Sequence, residues 1–526
     1  MSATRGTLLI LDGWGESAPG PGNAIAAATT PALDTLLTRY SSVRLAASGT
    51  AVGLPEGVVG NSEIGHLVMG AGRPLAYDSL LVQRAADSGG LRGHPLLREV
   101  GEELAAAGRA LHLVALCSRG RIHSDSAHLG ELLRAAGAAG LRDVRIHAIT
   151  DGRDVANGTA GQCLADVTAM AAAAGVGRCV SVIGRNYAMD KSGQTGLVER
   201  ACRLIVDGHG DHAAKDLAAA VAAGPAQDGW WPATRIAGDD GPGAGVRAGD
   251  AVLFANFRSD RTAPLADMVV DRLAGTGREV RVLSLARYDT RARIPALVAR
   301  ADASGGLADT LDGAGVRTVR IAEREKFEHV TFFSNGRDAR PRPLEEQVCV
   351  PTLAGDDYAA GPRMNVAEVV RQVIAAGRRA DVGLVIANLA NIDVVGHTGH
   401  YEATVRATEA VDRAVAEICA AAGENGRWVL LVGDHGNGEQ MLQAAPDGGV
   451  RPYGGHTCNL VPCVLMAAHG QGLLAPAGVL PALPSVGPTV LSLLGVEPPP
   501  AMSPSALLRS RVTRRPNTSR STTISR

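Results

Sequence analysis

Long apolar runs without alternation are the first feature of this sequence. Eight such runs lie at 7–11 (TLLIL), 110–116 (ALHLVAL), 144–150 (VRIHAIT), 179–184 (CVSVIG), 250–257 (DAVLFANF), 280–286 (VRVLSLA), 382–389 (VGLVIANL) and 428–433 (WVLLVG). A strand with one solvent-facing side alternates apolar and polar residues, whereas a strand covered on both faces does not. The runs therefore predict strands of mostly parallel sheets that are covered by helices.

The stretch 404–422 has the spacing of a helix instead. Its apolar face consists of Val411, Val415, Ile418 and Ala422. Gly423 and Gly426 are predicted to end this helix. Apolar runs and helix-like stretches alternate along the chain, which predicts the α/β fold class. Two polar, proline-bearing segments, 74–78 and 287–300, are interpreted as connectors.

Composition restricts the function. The 526 residues suffice for about two to four domains. Lys and Arg number 52 against 53 Asp and Glu, and aromatic residues make up only 3%, which argues against nucleic-acid binding. The eight cysteines form no C-x-x-C pair, no signal-peptide pattern opens the chain, and no apolar run could span a bilayer. These features predict a reduced, cytoplasmic protein that has no membrane partner.

Three of the apolar runs lead into acids. Asp12 follows the first run, Asp393 follows the run at 382–389, and Asp434 follows the run at 428–433. Ligands of open α/β sheets bind beyond the carboxyl ends of the strands. Three carboxylates that converge there repel one another unless a cation lies between them. Any one of these aspartates alone is also explained as a helix or turn cap.

Histidines and one serine extend this set. His397, His435 and His456 lie beside glycines close to the same acids. Imidazole and carboxylate are ligands for Mn²⁺ or Zn²⁺. Six ligands for a two-metal centre would be Asp12, Asp393, His397, Asp434, His435 and His456. Ser62, in the glycine-rich stretch GVVGNSEIGHLVMGAGR, is either a turn residue or, as an alkoxide on the metals, the seventh ligand and a nucleophile.

Cationic residues cluster in the loops that follow the middle strands. They are His123, Arg153, Arg185, Lys191, Arg258 and Arg261, with Lys326 further on. Each alone is explained as a solvated surface charge, but together they predict a small anionic substrate, because arginine forks match phosphate and carboxylate geometry. Asp154, beside Arg153, is either a general acid/base for a substrate hydroxyl or half of an ordinary ion pair.

Taken in order, the motifs resemble a known family. The segments are LLILDGWG, GNSEIGHLVMGAGR, DGRD, GRNYAMD, NFRSDR, EKFEHVTFF, IDVVGHTG, GDHGNGEQM and HTCNLVP. They are similar to the motifs of the cofactor-independent (2,3-bisphosphoglycerate-independent) phosphoglycerate mutases of the alkaline phosphatase superfamily. The resemblance implies a metal-binding, phosphatase-like domain at 1–75 and 300–508, with a transferase domain inserted at 76–299. The basic tail at 509–526 is predicted to be disordered.

The resemblance also implies roles for the site residues. One metal would be held by Asp393, His397 and His456, and the other by Asp12, Ser62, Asp434 and His435. Substrate would be bound by His123, Arg153, Asp154, Arg185, Lys191, Arg258, Arg261 and Lys326. Ser62 would take the phosphoryl group of 3-phosphoglycerate and return it to the 2-hydroxyl of glycerate, with Asp154 shuttling a proton. The family further implies Mn²⁺ (with Zn²⁺, Co²⁺ or Mg²⁺ as substitutes), no 2,3-bisphosphoglycerate, a monomer and a place in glycolysis.

Several residues depart from the family pattern near the predicted anion site. Lys191 stands where the family has an arginine, Asp125 replaces a histidine, and Arg119 and Arg121 are additional cations. Two alternatives therefore stay open. One is a homologue that transfers a phosphoryl or phosphonyl group to a different glycerate-like acid, in specialised phosphonate metabolism, and the other is a metal-dependent phosphomonoesterase. A non-catalytic metal-binding protein would lack a ligand or the nucleophile, whereas this chain has both.

Overall fold

The chain folds into two units, each built on its own mostly parallel sheet. A computed structural model describes residues 4–190, 194–237, 245–353, 357–444, 449–467, 472–473, 479–502 and 506–508. One unit comprises Met1–Leu75 with Asp302–Arg526, and the other comprises Ala76–Ala301. Lys191 and the tail at 509–526 lie outside the described residues, so the predictions made for them stay predictions. No helix in the described ranges is long and apolar enough to cross a membrane.

The first segment of the chain contributes two strands and three helices. The strands are β1 (Gly6–Leu11) and β2 (Ser41–Leu45), and the helices are α1 (Ala24–Ala27), α2 (Pro31–Arg39) and α3 (Ser62–Ala71). All six residues of β1 are buried, as expected of a central strand with both faces covered.

The unit at 76–301 alternates strands and helices. Its strands are β3 (Leu111–Leu116), β4 (Val144–Thr150), β5 (Arg178–Gly184), β6 (His212–Ala214), β7 (Thr234–Ile236), β8 (Ala251–Phe254), β9 (Arg281–Ala286) and β10 (Ala296–Val298). Its helices are α4 (Asp78–Asp87), α5 (Pro95–Ala107), α6 (Ser126–Ala138), α7 (Ala160–Ala174), α8 (Arg185–Ala188), α9 (Thr195–Asp207), α10 (Leu217–Ala222) and α11 (Ala263–Gly275). In the described residues the strand order is β10-β9-β8-β3-β4-β5-β7-β6, and only the β5–β7 pair is antiparallel.

Helices cover both faces of this second sheet. Leu113 and Ala148 belong to one apolar cluster, whereas their chain neighbours Val114 and Ile149 belong to another. Successive side chains of a strand point to opposite faces, so the two clusters are the two sides of one sheet. The lack of alternation in the sequence is explained by this double burial.

The chain then returns to the first unit. The strands are β11 (Arg317–Glu323), β12 (Glu345–Val350), β13 (Val382–Leu389), β14 (Trp428–Gly433), β15 (Leu442–Ala444), β16 (Val450–Pro452) and β17 (Val461–Met466). The helices are α12 (Leu307–Gly313), α13 (Arg324–Glu328), α14 (Val366–Arg378), α15 (Asn391–Gly396), α16 (Tyr401–Glu424) and α17 (Val486–Leu493). Short 3₁₀ turns lie at Gly49–Val52, Asp228–Trp230 and Leu483–Ser485, and a π-helical turn at His329–Phe333.

The sheet of the first unit runs β12-β11-β13-β1-β14-β17-β2. The first five strands are mutually parallel, and β17 is antiparallel to both of its neighbours. Leu11 at the end of β1 is in register with Leu389 of β13 and Gly433 of β14. The three strands therefore end side by side, and the residues that follow them emerge at one edge of the sheet.

Helix α16 packs its predicted apolar face on this sheet. Val411, Val415, Ile418 and Ala422 are all part of the core cluster that includes Leu9, Leu11 and Val385. The helix ends one residue beyond Gly423, so Gly423 does not terminate it. Gly426 does follow the end of the helix, with a φ of 61° that favours glycine.

Candidate active site

Ser62 is the first residue of α3 and is fixed by the turn that begins this helix. The side chain of Asn61 caps the helix by accepting a hydrogen bond from the backbone N–H of Ile64 at 2.9 Å. His66, one turn later, has its Nδ1 atom 2.8 Å from the carbonyl oxygen of Ser62. At Gly65 a Cβ atom would lie 2.8 Å from the backbone oxygen of Asp434, so glycine is required for this close approach. Ser62 itself is 5% exposed.

The hydroxyl of Ser62 is surrounded by charged groups. Its Oγ lies 3.2 Å from Oδ1 of Asp12 and 2.9 Å from Nε2 of His435. The Nζ atom of Lys326 donates to this Oγ at 2.7 Å, and also to Asp12 at 2.7 Å and Asp393 at 2.6 Å. Asp12 follows β1, Asp393 lies in α15 after β13, and Lys326 lies in α13 after β11. The adjacent strand ends thus bring the predicted acids together around one serine.

Asp393 also meets two imidazoles. Nε2 of His456 is 3.1 Å, and Nε2 of His397 is 3.4 Å, from Oδ1 of Asp393, while the two Nε2 atoms lie 3.2 Å apart. The other ring nitrogens lie close to backbone oxygens, with Nδ1 of His397 2.7 Å from Gly454 and Nδ1 of His456 2.9 Å from Gly60. Those contacts orient the two rings so that both Nε2 atoms face Oδ1 of Asp393.

Asp434 completes the group. Its Oδ1 accepts hydrogen bonds from the backbone N–H groups of Gly13 and His435. Its fully buried Oδ2 has no hydrogen-bond partner among the described residues. Burial, and then the nearby Asp12 carboxylate, raise the pKa of Asp434 to about 7. Burial opposes a charge on His435, but the carboxylates of Asp434, Asp393 and Asp12 outweigh it and raise the pKa of this imidazole to about 9.

These side chains fit divalent cations. Residues with ligand atoms within 4.8 Å of one another form the groups Asp393/His397/His456, Asp12/Asp393/His435 and Asp12/His66/Asp434. Carboxylate oxygens and neutral imidazole nitrogens are the donors that Mn²⁺ and Zn²⁺ take. The clustered carboxylates are an unfavourable arrangement that a cation relieves, and so is the buried Oδ2 of Asp434, which has no hydrogen-bond partner among the described residues.

A second set of charged side chains lies in the unit at 76–301. His123 follows β3, Asp154 follows β4, Arg185 follows β5, and Arg258 and Arg261 follow β8. These four strands are neighbours in the sheet, so their carboxyl ends lie together. Burial, and then the positive charge of Arg153, lower the pKa of Arg261, although the carboxylate of Asp260 opposes this shift.

Asp151 organises this cluster. Its Oδ1 accepts hydrogen bonds from the backbone N–H groups of Arg153 and Asp154, at 3.1 and 3.0 Å, and from Nη1 of Arg185 at 2.5 Å. Its Oδ2 accepts from the hydroxyl of Ser118. Asp151 is 2% exposed, so a buried carboxylate fixes the loop that carries Arg153 and Asp154.

The guanidinium groups line a cavity of about 390 Å³. Its lining includes three arginines against one acid, together with apolar side chains: Arg153, Arg185, Arg261, Asp190, Met189, Leu197 and Trp230. This volume is at the small end of ligand pockets, which are about 300–1,000 Å³. The cavity therefore suits a small anion.

Known proteins resemble this chain over nearly its whole length. A family model described as "Metalloenzyme superfamily" matches residues 4–498. A 2,3-bisphosphoglycerate-independent phosphoglycerate mutase of Streptomyces coelicolor is 55% identical over 96% of this chain and 98% of its own. One of Synechococcus sp. (strain JA-3-3Ab) is 38% identical over 95% of each chain. The chain belongs to this mutase family.

A solved structure agrees with that membership. The structure of Leishmania mexicana phosphoglycerate mutase at low cobalt concentration matches with a TM-score of 0.75 and 27% identity, over 96% of this chain and 98% of that one. The mutase family and its superfamily make this chain a metal-dependent enzyme and confirm the predicted α/β fold. The two alternatives, a different phosphoryl or phosphonyl transferase and a phosphomonoesterase, are not favoured by these relatives.

The structure places the predicted site residues in two groups. The seven proposed metal-site residues lie together in one unit and are Asp12, Ser62, Asp393, His397, Asp434, His435 and His456. Lys326, predicted to bind substrate, lies with them. The other described substrate residues lie in the unit at 76–301 and are His123, Arg153, Asp154, Arg185, Arg258 and Arg261.

Sequence reasoning missed several residues that touch these groups. Asn388 donates to Oδ2 of Asp12 at 2.6 Å and lies 3.1 Å from Nε2 of His66. Glu439 accepts from the backbone N–H groups of Gly15 and Asn437 and from the Asn459 amide. An asparagine inside an otherwise apolar strand was the available signal for Asn388, because a buried amide needs a partner.

Proposed function

We propose that this chain interconverts 3-phosphoglycerate and 2-phosphoglycerate without 2,3-bisphosphoglycerate, through a phosphoserine at Ser62. The observation that carries the proposal is the position of the Ser62 hydroxyl, 2.7 Å from the ammonium of Lys326 and 2.9 Å from Nε2 of His435. A neighbouring ammonium stabilises the ionised form of a hydroxyl, and only that form attacks phosphorus readily. The identity of the substrate is inferred from the relatives, which are named as phosphoglycerate mutases.

Two divalent ions, which we take to be Mn²⁺, complete the proposed centre. One would be held by Asp393, His397 and His456, and the other by Asp12, Ser62, Asp434 and His435. When bound, the ions lower the pKa of a hydroxyl and offset negative charge on the phosphoryl group. Asn388 and the backbone N–H of Gly13 orient the carboxylates of Asp12 and Asp434 for this purpose.

The unit at 76–301 is proposed to bind the glycerate part of the substrate. Arg153, Arg185 and Arg261 present planar forks that match a carboxylate or a phosphate. After the phosphoryl group has moved to Ser62, glycerate must stay bound and present its other hydroxyl. The cavity beside these arginines is of the size that retains such an acid. The family resemblance assigns the proton transfer of the glycerate hydroxyls to Asp154.

The decisive experiment follows the product and the covalent intermediate. Purified enzyme with Mn²⁺ and 3-phosphoglycerate is expected to form 2-phosphoglycerate without added 2,3-bisphosphoglycerate, and mass spectrometry of quenched enzyme is expected to find phosphate on Ser62. Ser62→Ala is expected to abolish both signals, while Ser88→Ala, on the exposed end of α4, leaves them unchanged. Net release of inorganic phosphate, or faster turnover of a phosphonylated acid, would contradict the proposal.

The same proposal includes the cellular location and the oligomeric state of the enzyme. Conversion of phosphoglycerates belongs to glycolysis, which takes place in the cytoplasm, and the centre as proposed needs residues of a single chain. We therefore propose a cytoplasmic monomer. Light scattering after size-exclusion chromatography tests the monomer directly, and a mass of about twice the 54.0 kDa of the chain would contradict it.

A further inference from the structure

His66 lies on α3 one turn after Ser62, and the proposed mechanism gives its side chain no role. The side chain is completely buried, with 0% exposure. Nδ1 of the ring lies 2.8 Å from the carbonyl oxygen of Ser62, and Nε2 lies 3.1 Å from the amide nitrogen Nδ2 of Asn388. Both ring nitrogens are therefore in contact with groups that border the proposed metal centre.

A carboxylate determines the direction of each hydrogen bond in this set. Nδ2 of Asn388 donates to Oδ2 of Asp12 at 2.6 Å, although the amide oxygen is then left without a partner among the described residues. The reversed amide would place that oxygen against the carboxylate, and two acceptors repel. Nδ2 carries a second proton, which it can donate to Nε2 of His66. The imidazole is then neutral and donates through Nδ1 to the carbonyl oxygen of Ser62.

These contacts close into a ring that contains both parts of Ser62. Its Oγ lies 3.2 Å from Oδ1 of Asp12, and its carbonyl oxygen accepts from His66. Asn388 belongs to β13 and is in register with Ile10 of the neighbouring strand β1, which leads into Asp12. The ring therefore joins the ends of two strands to the first turn of α3. It holds the serine hydroxyl and the Asp12 carboxylate in one relative position.

His66 could instead be a metal ligand, since Asp12, His66 and Asp434 have ligand atoms within 4.8 Å of one another. Its Nδ1 lies 3.5 Å from Oδ2 of Asp434, but the Ser62 carbonyl oxygen is closer to the same nitrogen. A cation on Nδ1 would displace the proton that this carbonyl accepts, and Nε2 faces the N–H group of an amide, which a cation repels. Both ring nitrogens are thus used by hydrogen bonds, which favours a role outside the ligand set.

We propose that His66 is a positioning residue that holds Ser62 and Asp12 in the arrangement in which both can bind a metal ion. His66 acts through the Ser62 carbonyl on one side and through Asn388 on the other, and it transfers no proton. This inference rests on the proposed mutase function and its metal centre. Every group in it belongs to the unit formed by Met1–Leu75 and Asp302–Arg526. Loss of such an outer partner typically weakens metal affinity or activity by about 10- to 100-fold.

Metal binding by the metal-free protein tests the role without any turnover. His66→Leu is expected to raise the Kd for Mn²⁺ by about 10- to 100-fold in a calorimetric titration, with the stoichiometry of the parent. Its kcat at saturating Mn²⁺ is expected to fall by about 10-fold or more, with KM for 3-phosphoglycerate changed by less than about threefold. His128→Leu is the matched control, because His128 is also buried but lies in the other unit with the Gln83 amide as its partner. This control is expected to keep the Mn²⁺ Kd of the parent.

Two conservative variants divide the role into its halves. His66→Asn can place an amide nitrogen near the position of Nδ1 and keep the bond to the Ser62 carbonyl. His66→Gln can place an amide oxygen near the position of Nε2 and accept from Asn388. Both are expected to fold like the parent by circular dichroism and to bind Mn²⁺ more weakly than the parent but more tightly than His66→Leu. A role in packing alone would not give this order, because leucine fills the buried site better than either amide.

A double-mutant cycle tests whether His66 and Asn388 act through the same contacts. The double variant His66→Leu/Asn388→Leu is expected to bind Mn²⁺ within about threefold of the weaker single variant, because each change breaks the same ring. Effects on Kd that multiply would show independent roles and overturn the inference. So would a folded His66→Leu, or a folded His66→Asn and His66→Gln pair, that keeps the Kd of the parent. A lower Mn²⁺ stoichiometry in His66→Leu would also overturn it and make His66 a ligand. Failure of the mutase function is distinguishable, because the parent would then bind Mn²⁺ but form no 2-phosphoglycerate.

Discussion

Lys326 brings one ammonium group into contact with three oxygen atoms, those of Asp12, Ser62 and Asp393. Its burial opposes the charge, but the two carboxylates outweigh burial and raise the pKa of Lys326 above its usual value. The two carboxylates therefore favour the charged form of this lysine. Its Nζ atom donates a hydrogen bond to Ser62 Oγ, the oxygen that is proposed to attack phosphorus.

Removal of that charge has a defined consequence. Lys326→Met is expected to lower kcat by about 10²- to 10³-fold, the usual cost of one lost donor at an oxygen that develops charge, with a smaller effect on KM. Steady-state kinetics with 3-phosphoglycerate measures both constants. Lys215→Met, at an exposed position, is the matched control and is expected to match the parent. A Lys326→Met enzyme within threefold of the parent would refute this role for the ammonium.

Glu439 is a second buried residue whose carboxylate oxygens all accept hydrogen bonds. It is 2% exposed and accepts four hydrogen bonds, from the backbone N–H groups of Gly15 and Asn437 and from the side chains of Thr457 and Asn459. These residues belong to three loops, and each of the three carries a proposed metal ligand: Asp12, then Asp434 and His435, then His456. One buried acid thus joins loops that are hundreds of residues apart in sequence.

Glu439→Gln is expected to destabilise the fold by about 1–3 kcal/mol, because an amide N–H₂ would face donors and leave buried groups without partners. Urea denaturation measures the change in the free energy of unfolding. Glu417→Gln, exposed on α16, is the matched control and should change it by less than about 0.5 kcal/mol. Equal stabilities of the two variants would show that the four hydrogen bonds contribute nothing.

At the scale of elements, a chain of polar groups crosses the sheet of the second unit. Nε2 of His112 lies 3.3 Å from Asp250, Nδ1 of His112 lies 2.9 Å from Nε2 of His147, and Nδ1 of His147 lies 2.8 Å from the hydroxyl of Ser181. All of these groups are buried, on the neighbouring strands β3, β4 and β5 and at the start of β8. Each ring then donates through Nε2 and accepts through Nδ1, which requires both histidines to be neutral.

This chain of hydrogen bonds makes stability depend on pH. Burial lowers the pKa of both His112 and His147, so the unfolded state binds protons more readily than the folded state. Their effect on stability is absent above the unfolded pKa of about 6.5 and grows as the pH falls below it. Urea unfolding followed by tryptophan fluorescence is expected to show a steeper loss between pH 7 and pH 5 for the parent than for His147→Gln. His209→Gln, on the surface, should keep the steep dependence of the parent.

The pattern of apolar runs predicted eight strands of the two sheets and missed others, including the buried strands β11 and β17. All eight runs are strands, because double burial removes alternation. The three-residue strands β6, β7, β10, β15 and β16 were missed because they are too short to carry a periodic signal. The strands β2, β11, β12 and β17 were missed as well, because charged residues or a proline interrupt their apolar pattern. The end of α16 was misplaced at Gly423 because a glycine within the last turn is tolerated when the true left-handed residue, Gly426, follows.

At the scale of the whole molecule, the convergence of Asp12, Asp393 and Asp434 was predictable from one rule, that parallel strands end at the same edge. The contacts of Lys326 and Asn388 were not, because their partners lie 314 and 376 residues away and no local pattern marks them. The pairing of His123 with Asp154 was also invisible, since each residue type at a loop has an ordinary explanation by itself. Only the three-dimensional structure shows these contacts between residues that are distant in sequence.

The buried acids are expected to make the stability of the molecule depend on a divalent metal ion. A chelator is expected to abolish activity and lower Tm, and Mn²⁺ at 100 times its Kd is expected to return about 2.7 kcal/mol of stability. Asp434→Asn removes a carboxylate that burial and Asp12 disfavour, while its amide oxygen can still accept from Gly13. This variant is expected to melt at a higher temperature than the metal-free parent and to gain less from Mn²⁺. Differential scanning calorimetry with and without chelator decides the point, and identical gains for both proteins would count against the proposed ligand.

Ser62 opens α3, a helix of ten residues, and this position affects more than nucleophilicity. A phosphate ester on its Oγ would lie at the positive end of the helix dipole, where the first backbone N–H groups have no partner within the helix. Esterification there strengthens the helix terminus, whereas the same modification at the other end would fray it. A phosphoryl group bound to Ser62 would therefore be stabilised by the backbone of the helix itself.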